Sequence, residues 1–149
     1  MIRSIDAGWP KSHAKPKFVI IGCGEHAIEA ASSIARHVPP ERIDSRIGLP
    51  DLRKAADVIG RSSFFLGADG GLMHIAAALK KPGVAIFCEI RPEWRLHARS
   101  KMRAIFSECD INQIPTEKIS GEVIRYCEDL LKQSGLQINA GWKPARLES

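Results

Sequence analysis

The stretch that most constrains the fold of this chain is residues 64–79, where an apolar run meets a helical pattern at a glycine-rich turn. Residues 64–68 are apolar, as in a buried strand, and an Asp-Gly-Gly turn follows at residues 69–71. Over residues 72–79, apolar side chains recur at intervals of three and four, which is the spacing of one helix face. The stretch therefore predicts a strand, a tight turn and a helix.

The predicted turn is a favourable place for an anion. In open parallel sheets, ligands bind at the carboxyl ends of strands, where such turns lie. The first N–H groups of the following helix have no partner within the helix and carry a partial positive charge. Gly70 and Gly71 have no Cβ, so a ligand can approach their backbone closely. We therefore predict that this turn binds a phosphate.

Each residue of the turn also has an alternative role that involves no ligand. Glycines in strand–turn–helix units also serve close packing, and many such units bind nothing. Asp69 is a suitable N-cap for the helix, and His74 is compatible with a histidine packed on the first helical turn. The spacing of the residues does not separate these alternatives from a binding site.

The composition is that of a single globular domain. The chain has 149 residues, of which 44% are hydrophobic and 26% charged, and a net charge of +5. Acidic residues separate the basic ones, so nucleic acid is not an expected partner, whereas an anionic substrate or a lipid at a membrane surface is compatible with this charge. We expect a cytoplasmic protein, since we find neither a signal-peptide pattern nor an apolar run long enough to cross a bilayer.

The four cysteines and the acidic residues do not indicate a metal site. Cys23, Cys88, Cys109 and Cys127 form no C-x-x-C pair, so we expect free thiols that behave as small core hydrophobes. The acidic residues that could be combined as ligands also lack metal-site spacing: Glu25, Asp69 and Glu89. No metal is therefore expected.

The order of elements along the chain predicts an α/β domain. Residues 1–16 are expected to form an irregular arm and residues 17–134 the domain. Residues 135–149 are expected to form a poorly ordered tail, with docking through Trp142 as the alternative. Residues 89–95 are expected to be a loop. The predicted strands are 17–22, 42–46, 64–68, 83–87 and 102–106, and the predicted helices are 27–37, one capped by Asp51, 72–79, and one from residue 120. This alternation predicts a doubly wound, mostly parallel sheet with helices on both faces.

Several motifs follow one another in a fixed order along the chain. A strand runs into Gly22-Cys23-Gly24-Glu25-His26, and Leu49-Pro50-Asp51-Leu52 opens the next helix. Asp69 follows 17 residues after Leu52 and begins the run 69–79, and residues 81–87 form the next strand. In this order and spacing, over about residues 17–133, the motifs resemble the donor-binding, C-terminal half of family 9 glycosyltransferases, the bacterial lipopolysaccharide heptosyltransferases. Residues 69–79 are similar to the family's D-[ST]-G-x-x-H-x-A-A-A-L signature.

The resemblance implies one lobe of a two-lobed GT-B enzyme that holds a nucleotide-diphosphate sugar, typically ADP-heptose. It implies that Glu25 accepts hydrogen bonds from the ribose, and that the backbone near Leu49 and Pro50 faces the base. It implies no further cofactor. It also implies that four residues line the diphosphate and sugar, with His74 supporting their turn: Asp69, Gly70, Gly71 and Leu72.

The resemblance leaves the catalytic residues unidentified, because the family's acceptor site and catalytic base belong to an N-terminal lobe outside the matched part. The chain is then a fragment, the partner of a separate chain, or a non-catalytic binding module. In an active enzyme the acceptor implied is a lipid at the inner face of the membrane. A dinucleotide-binding oxidoreductase is a weaker alternative, since Ala27 replaces the third glycine of G-x-G-x-x-G.

The chain departs from the family pattern at two places. The second departure is followed by the densest cluster of basic residues in the chain. Gly70 stands where the family has Ser or Thr, and residues 88–91 replace the family's Gly-x-T-[DS]. A solvated loop and helix face is the favoured interpretation of the cluster, and an anion site or a face for docking the other lobe is the alternative. Its residues are Arg91, Arg95, Arg99, Lys101 and Arg103, with Trp94 and His97 among them.

Overall fold

The computed structural model describes residues 1–11, 13–108 and 110–134, and it confirms the α/β fold. The predicted tail and the docking of Trp142 lie outside the described residues. The five strands are β1 (Phe18–Gly22), β2 (Ile43–Ile47), β3 (Phe65–Ala68), β4 (Gly83–Cys88) and β5 (Met102–Ser107). The α-helices are α1 (Ile2–Gly8), α2 (Glu25–Ala35), α3 (Leu52–Arg61), α4 (Gly71–Ala78) and α5 (Thr116–Ser134), and short 3-10 turns cover Pro40–Arg42, Pro92–Trp94 and Ile111–Gln113.

All described strand pairs are parallel, and they form two sheets rather than one continuous ladder. β1 pairs with β2, and β4 lies between β3 and β5. Gly83 is opposite Phe65 in β3 and Met102 in β5. A Cβ at Gly83 would lie 2.5 Å from the Phe65 carbonyl oxygen, so only glycine permits this close approach at the start of β4.

Strand β4 is buried on both faces and divides the core into two layers. Val84 and Ile86 point into a cluster with α1 and α5, whereas Ala85 and Phe87 point into a cluster with α3 and α4. This alternation follows from the two-residue period of a strand. Helices therefore cover both faces of the sheet, as the doubly wound prediction requires.

Strand β1 packs beside the larger sheet without a described ladder between them. Phe18 packs against the cluster on the α1–α5 side, and Ile21 packs against the cluster on the α3–α4 side. Side chains from one strand thus reach both layers of the core. The smaller sheet is attached through these apolar contacts.

The N-terminal arm is not irregular as predicted, because residues 2–8 form α1. Ile5 is 2% exposed and joins the core. A Cβ at Gly8 would lie 2.5 Å from the Ile124 Cδ1 of α5, so α1 and α5 are in close contact. The helix is stabilised by this packing rather than by its own short apolar pattern.

Polar contacts also hold the N-terminal segment to the domain. Arg42 lies 2.7 Å from Asp6 through its Nη2 atom and donates hydrogen bonds to the carbonyl oxygen of Pro16. Lys15 donates a hydrogen bond to the Asp6 Oδ2 at 3.0 Å. The Arg42 guanidinium, followed by the Lys15 ammonium, lowers the pKa of the Asp6 carboxyl.

The remaining expectations are partly confirmed. Asp51 caps α3, as predicted, by accepting a hydrogen bond from the Lys54 N–H at 2.9 Å. Helix α5 begins at Thr116 rather than at residue 120, and the predicted loop 89–95 contains the 3-10 turn Pro92–Trp94. Cys23 is exposed, so it is not a core residue, whereas Cys88 and Cys127 are half-buried free thiols. Cys109 lies outside the described residues.

Within the described ranges, no helix combines the length and apolar character that crossing a membrane requires. This holds for α5 as well, which at 19 residues is the longest described helix.

The packing of α1 predicts that Ile5→Ala lowers the free energy of unfolding by about 2–5 kcal/mol, because it leaves a cavity between α1 and the sheet. Chemical denaturation of the purified chain measures this change. Ile28→Ala is the matched control, because Ile28 is also helical but 55% exposed, and we expect a change within about 0.5 kcal/mol. Equal effects of the two substitutions would show that α1 does not pack as described.

The ion pairs of Asp6 predict a pH-dependent effect of Asp6→Asn. Because the folded state lowers the pKa of this carboxyl, its stabilisation is complete above the unfolded pKa of about 3.9 and is lost as the pH falls through the lower folded value. The variant should therefore unfold more easily than the wild type at pH 7, and the difference should shrink at acidic pH. Urea titrations across this range test the trend, and a pH-independent difference would contradict it.

Candidate functional site

The turn between β3 and α4 leaves the start of a helix open. Gly70 is the N-cap of α4, and no side chain caps the helix. The Asp69 N–H donates to the Ile86 carbonyl oxygen at 2.8 Å, which attaches the turn to β4. The His74 N–H donates to the Gly70 carbonyl oxygen at 3.1 Å and closes the first helical turn. The first N–H groups of α4 thus lack a side-chain acceptor.

The two glycines of the turn face open space. A Cβ at Gly70 or at Gly71 would meet no atom within 4 Å, and neither residue has a left-handed backbone conformation. Close packing does require glycine elsewhere, as at Gly83, where a Cβ would meet the Phe65 carbonyl oxygen. Neither packing nor backbone strain therefore requires glycine at positions 70 and 71, and their bare backbone remains accessible to a ligand.

The carboxylate of Asp69 faces the side chains of Arg95 and His74 rather than capping the helix. Its Oδ2 accepts a hydrogen bond from the Arg95 Nε at 3.0 Å, and its Oδ1 lies 3.6 Å from the His74 Nε2. The Asp69 side chain is 17% exposed, whereas those of His74 and Arg95 are 44% and 41% exposed. One alternative considered above is thus wrong, because the N-cap of α4 is Gly70 and not Asp69. His74 is exposed near the start of α4, with its ring beside the Asp69 carboxylate.

The contact between Arg95 and Asp69 was not predicted from the sequence. Arg95 follows the 3-10 turn Pro92–Trp94, in the connection between β4 and β5. β4 pairs in parallel with β3, so the connections at their carboxyl ends lie side by side. The contact could have been predicted from this adjacency, because one connection contains a basic residue and the other an acidic one.

The basic cluster divides into residues with different roles. Arg103 lies in β5, pairs with Glu122 and Asp129 of α5, and stacks on Tyr126 with its guanidinium carbon 4.1 Å from the ring centre. The hydrogen bond that Arg103 donates to the Asp129 carboxylate is the main reason why the pKa of Arg103 is raised. Arg103 is thus structural, Arg95 belongs to the site, and the rest of the cluster is mostly exposed, as the favoured interpretation expected.

The other predicted ligand residues lie on the loops after β1 and β2. Glu25 is exposed and is the first residue of α2, which has no side-chain cap. Leu49 is half-buried and Pro50 exposed, just before α3. The Gly48 N–H donates to the Gly22 carbonyl oxygen at 2.9 Å, so these two loops are joined to each other.

The structure thus brings the predicted site residues together in two groups. The first is the turn with Asp69, Gly70, Gly71, Leu72 and His74, to which Arg95 is added. The second is Glu25, Leu49 and Pro50. Each group lies where parallel strands end, the position at which open α/β sheets bind ligands. Among the residues given positions in the structure, no group of three or more His, Cys, Asp or Glu side chains could hold a metal ion.

The comparisons with known proteins agree with this architecture. Residues 17–122 match the model of glycosyltransferase family 9 (heptosyltransferase). No curated protein sequence matches the chain significantly. Among solved structures, the chain is similar in fold to E. coli ADP-heptose LPS heptosyltransferase II, with a TM-score of 0.60 and 23% sequence identity. That match covers 82% of this chain but only 38% of the E. coli chain, so this chain spans well under half of its neighbour.

Proposed function

We propose that this chain, which belongs to glycosyltransferase family 9, the heptosyltransferases, forms the donor-binding half of such an enzyme. The observation that supports this best is the uncapped start of α4, with open space over Gly70 and Gly71. A diphosphate there would receive hydrogen bonds from backbone N–H groups. Negative charge grows on the leaving diphosphate as the sugar is transferred, and these groups would stabilise it without a metal ion.

The two groups of site residues suit the two parts of a nucleotide-diphosphate sugar. In the proposal, the turn with Gly70, Gly71 and Leu72 lines the diphosphate and sugar. Glu25 accepts hydrogen bonds from the ribose hydroxyls, which its exposed carboxylate at the end of β1 permits. The backbone near Leu49 and Pro50 faces the base. We propose ADP-heptose as the donor, because the E. coli neighbour is named for it.

Transfer also requires an acceptor and a group that removes its proton. We propose that an N-terminal lobe, in the same or a separate chain, supplies both and docks over the carboxyl ends of the strands. Rate acceleration depends on holding donor and acceptor in reacting geometry, so the donor half alone would bind without efficient transfer. The acceptor in this proposal is a lipid at the inner face of the membrane, reached from the cytoplasm.

Nucleotide binding tests the proposal through the melting temperature. We expect ADP or another nucleoside diphosphate, from a panel with their sugars, to raise it, since a ligand of the folded state at 100 times its Kd adds about 2.7 kcal/mol of stability. Gly71→Ala should reduce the affinity by roughly tenfold or more, because its methyl group enters the space of the phosphate and disturbs a charge-assisted hydrogen bond.

Gly60→Ala is the matched control, because Gly60 in α3 also has open space around its Cβ position. It should leave nucleotide binding unchanged and increase the stability by about 0.5–1 kcal/mol. A panel in which no nucleotide stabilises the wild type would reject the proposed function. Equal affinities in the wild type and Gly71→Ala would reject the placement of the phosphates.

Alkylation of Cys23 provides a second test, because this exposed thiol lies between β1 and Glu25. Bound nucleotide should slow the reaction of Cys23 with iodoacetamide, measured by peptide mass spectrometry. Cys127 is the internal reference, since burial raises its pKa to about 11 and keeps it protonated and slow at pH 8 with or without nucleotide. An unchanged rate at Cys23 in the presence of saturating nucleotide would contradict the proposed position of the ribose.

A further inference from the structure

We propose that Arg95 is the side-chain ligand of the diphosphate, and that Asp69 is a positioning residue that orients Arg95 instead of contacting the donor. This inference rests on the proposed function and deepens it. It also changes the role that the family resemblance implies for Asp69. Three observations support it: the atoms through which the two residues meet, the difference in their exposure, and the attachment of the Arg95 backbone.

Arg95 meets Asp69 through only one of its nitrogen atoms. Its Nε donates to the Asp69 Oδ2 at 3.0 Å, and among the described residues no other ion pair or side-chain hydrogen bond of Arg95 is found. The two terminal Nη groups therefore keep their N–H donors, on a side chain that is 41% exposed. A planar guanidinium held at one edge presents its other edge in the geometry that binds two phosphate oxygens.

Asp69 is poorly placed as a ligand for an anion. Its side chain is 17% exposed, and its buried Oδ1 accepts no hydrogen bond in the described structure, with the His74 Nε2 3.6 Å away. A carboxylate and a diphosphate repel each other at short range, so direct contact between them would weaken binding. Contact between the Asp69 carboxylate and the Arg95 guanidinium is favourable, which makes orientation of Arg95 the better role for Asp69.

The backbone at Arg95 is held by hydrogen bonds and by a neighbouring core residue. Its N–H donates to the Pro92 carbonyl oxygen at 3.0 Å, and the Leu96 N–H donates to the same oxygen at 2.7 Å. Leu96 packs against the core cluster that contains Phe87. Arg95 is thus fixed between a core contact and an ion pair, so little of its freedom remains to be lost when an anion binds.

Calorimetric titration with inorganic pyrophosphate, ADP and adenosine tests the role of Arg95. Arg95→Gln should weaken the binding of pyrophosphate and ADP about tenfold or more, and leave the affinity for adenosine unchanged. Arg95→Lys, which keeps the charge but not the planar geometry, should fall between the wild type and Arg95→Gln. A general loss of structure would instead lower the affinity for all three ligands. Arg91→Gln is the matched control, because it removes one exposed charge from the same segment, and it should change each affinity less than threefold.

If Asp69 orients Arg95, the effect of Asp69→Asn on pyrophosphate affinity should depend on whether Arg95 is present. Asp69→Asn should weaken pyrophosphate binding in the wild type, although it removes a negative charge, because Arg95 loses its orientation. In the Arg95→Gln background, the same substitution should leave binding unchanged or strengthen it. Weaker binding by Asp69→Asn in both backgrounds would overturn the positioning role and make Asp69 a direct ligand.

The outcomes separate this inference from the proposed function. Normal binding of pyrophosphate and ADP by Arg95→Gln overturns the inference and leaves the donor-binding proposal intact. Binding of pyrophosphate that depends on Arg95, without binding of any nucleoside diphosphate or its sugar, supports Arg95 as the anion ligand and overturns the proposed function. Absence of pyrophosphate binding by the wild type overturns the inference.

Discussion

The burial of β4 on both faces is the constraint on which the rest of the structure depends. Val84 and Ile86 require a helical layer on one side and Ala85 and Phe87 require one on the other, so β4 must be central. Parallel pairing with β3 then places the ends of both strands at one edge. The Asp69 N–H extends that pairing by bonding to Ile86, beyond the last residue of β3. The core thus determines where the turn of the candidate site stands.

At this turn, an acidic side chain is mostly buried, whereas hydrogen-bond donors remain accessible at the surface. Asp69 is mostly buried and faces Arg95 and His74, while the N–H groups at the start of α4 remain uncapped. The net effect outside the protein is a surface of hydrogen-bond donors with partial or full positive charge. Such an arrangement stabilises a developing anion through fixed dipoles and cations. In the proposed function, this arrangement would take the place of a metal ion at the diphosphate of the donor.

Local patterns predicted the secondary structure well where short-range chemistry decides it. The five strands, the Asp51 cap and the strand–turn–helix at residue 70 all follow from spacing and residue type. Helix α1 was missed because the burial of Ile5 against α5, nearly the length of the chain away, stabilises it. The Arg95–Asp69 pair was missed for the same reason, since its partners are 26 residues apart and only the parallel pairing of β3 with β4 brings them together. The spacing of residues predicts which side chains are neighbours within one helix or strand. It does not predict these two contacts, because they form only when separate elements pack together.

Because the strands form two separate sheets, the proposed donor would also help to hold the domain together. The loops after β1 and β2 are joined by the Gly48–Gly22 hydrogen bond, and the turn after β3 is joined to β4, but no described ladder connects β1 with β3. Apolar contacts such as those of Phe18 and Ile21 link the two sheets, and the ion pair between Arg42 and Asp6 joins the start of β2 to α1. A donor bound as proposed would contact Glu25 on one sheet and the α4 turn on the other. Its binding energy would then oppose separation of the two sheets, so occupancy by the donor and cohesion of the domain would increase together.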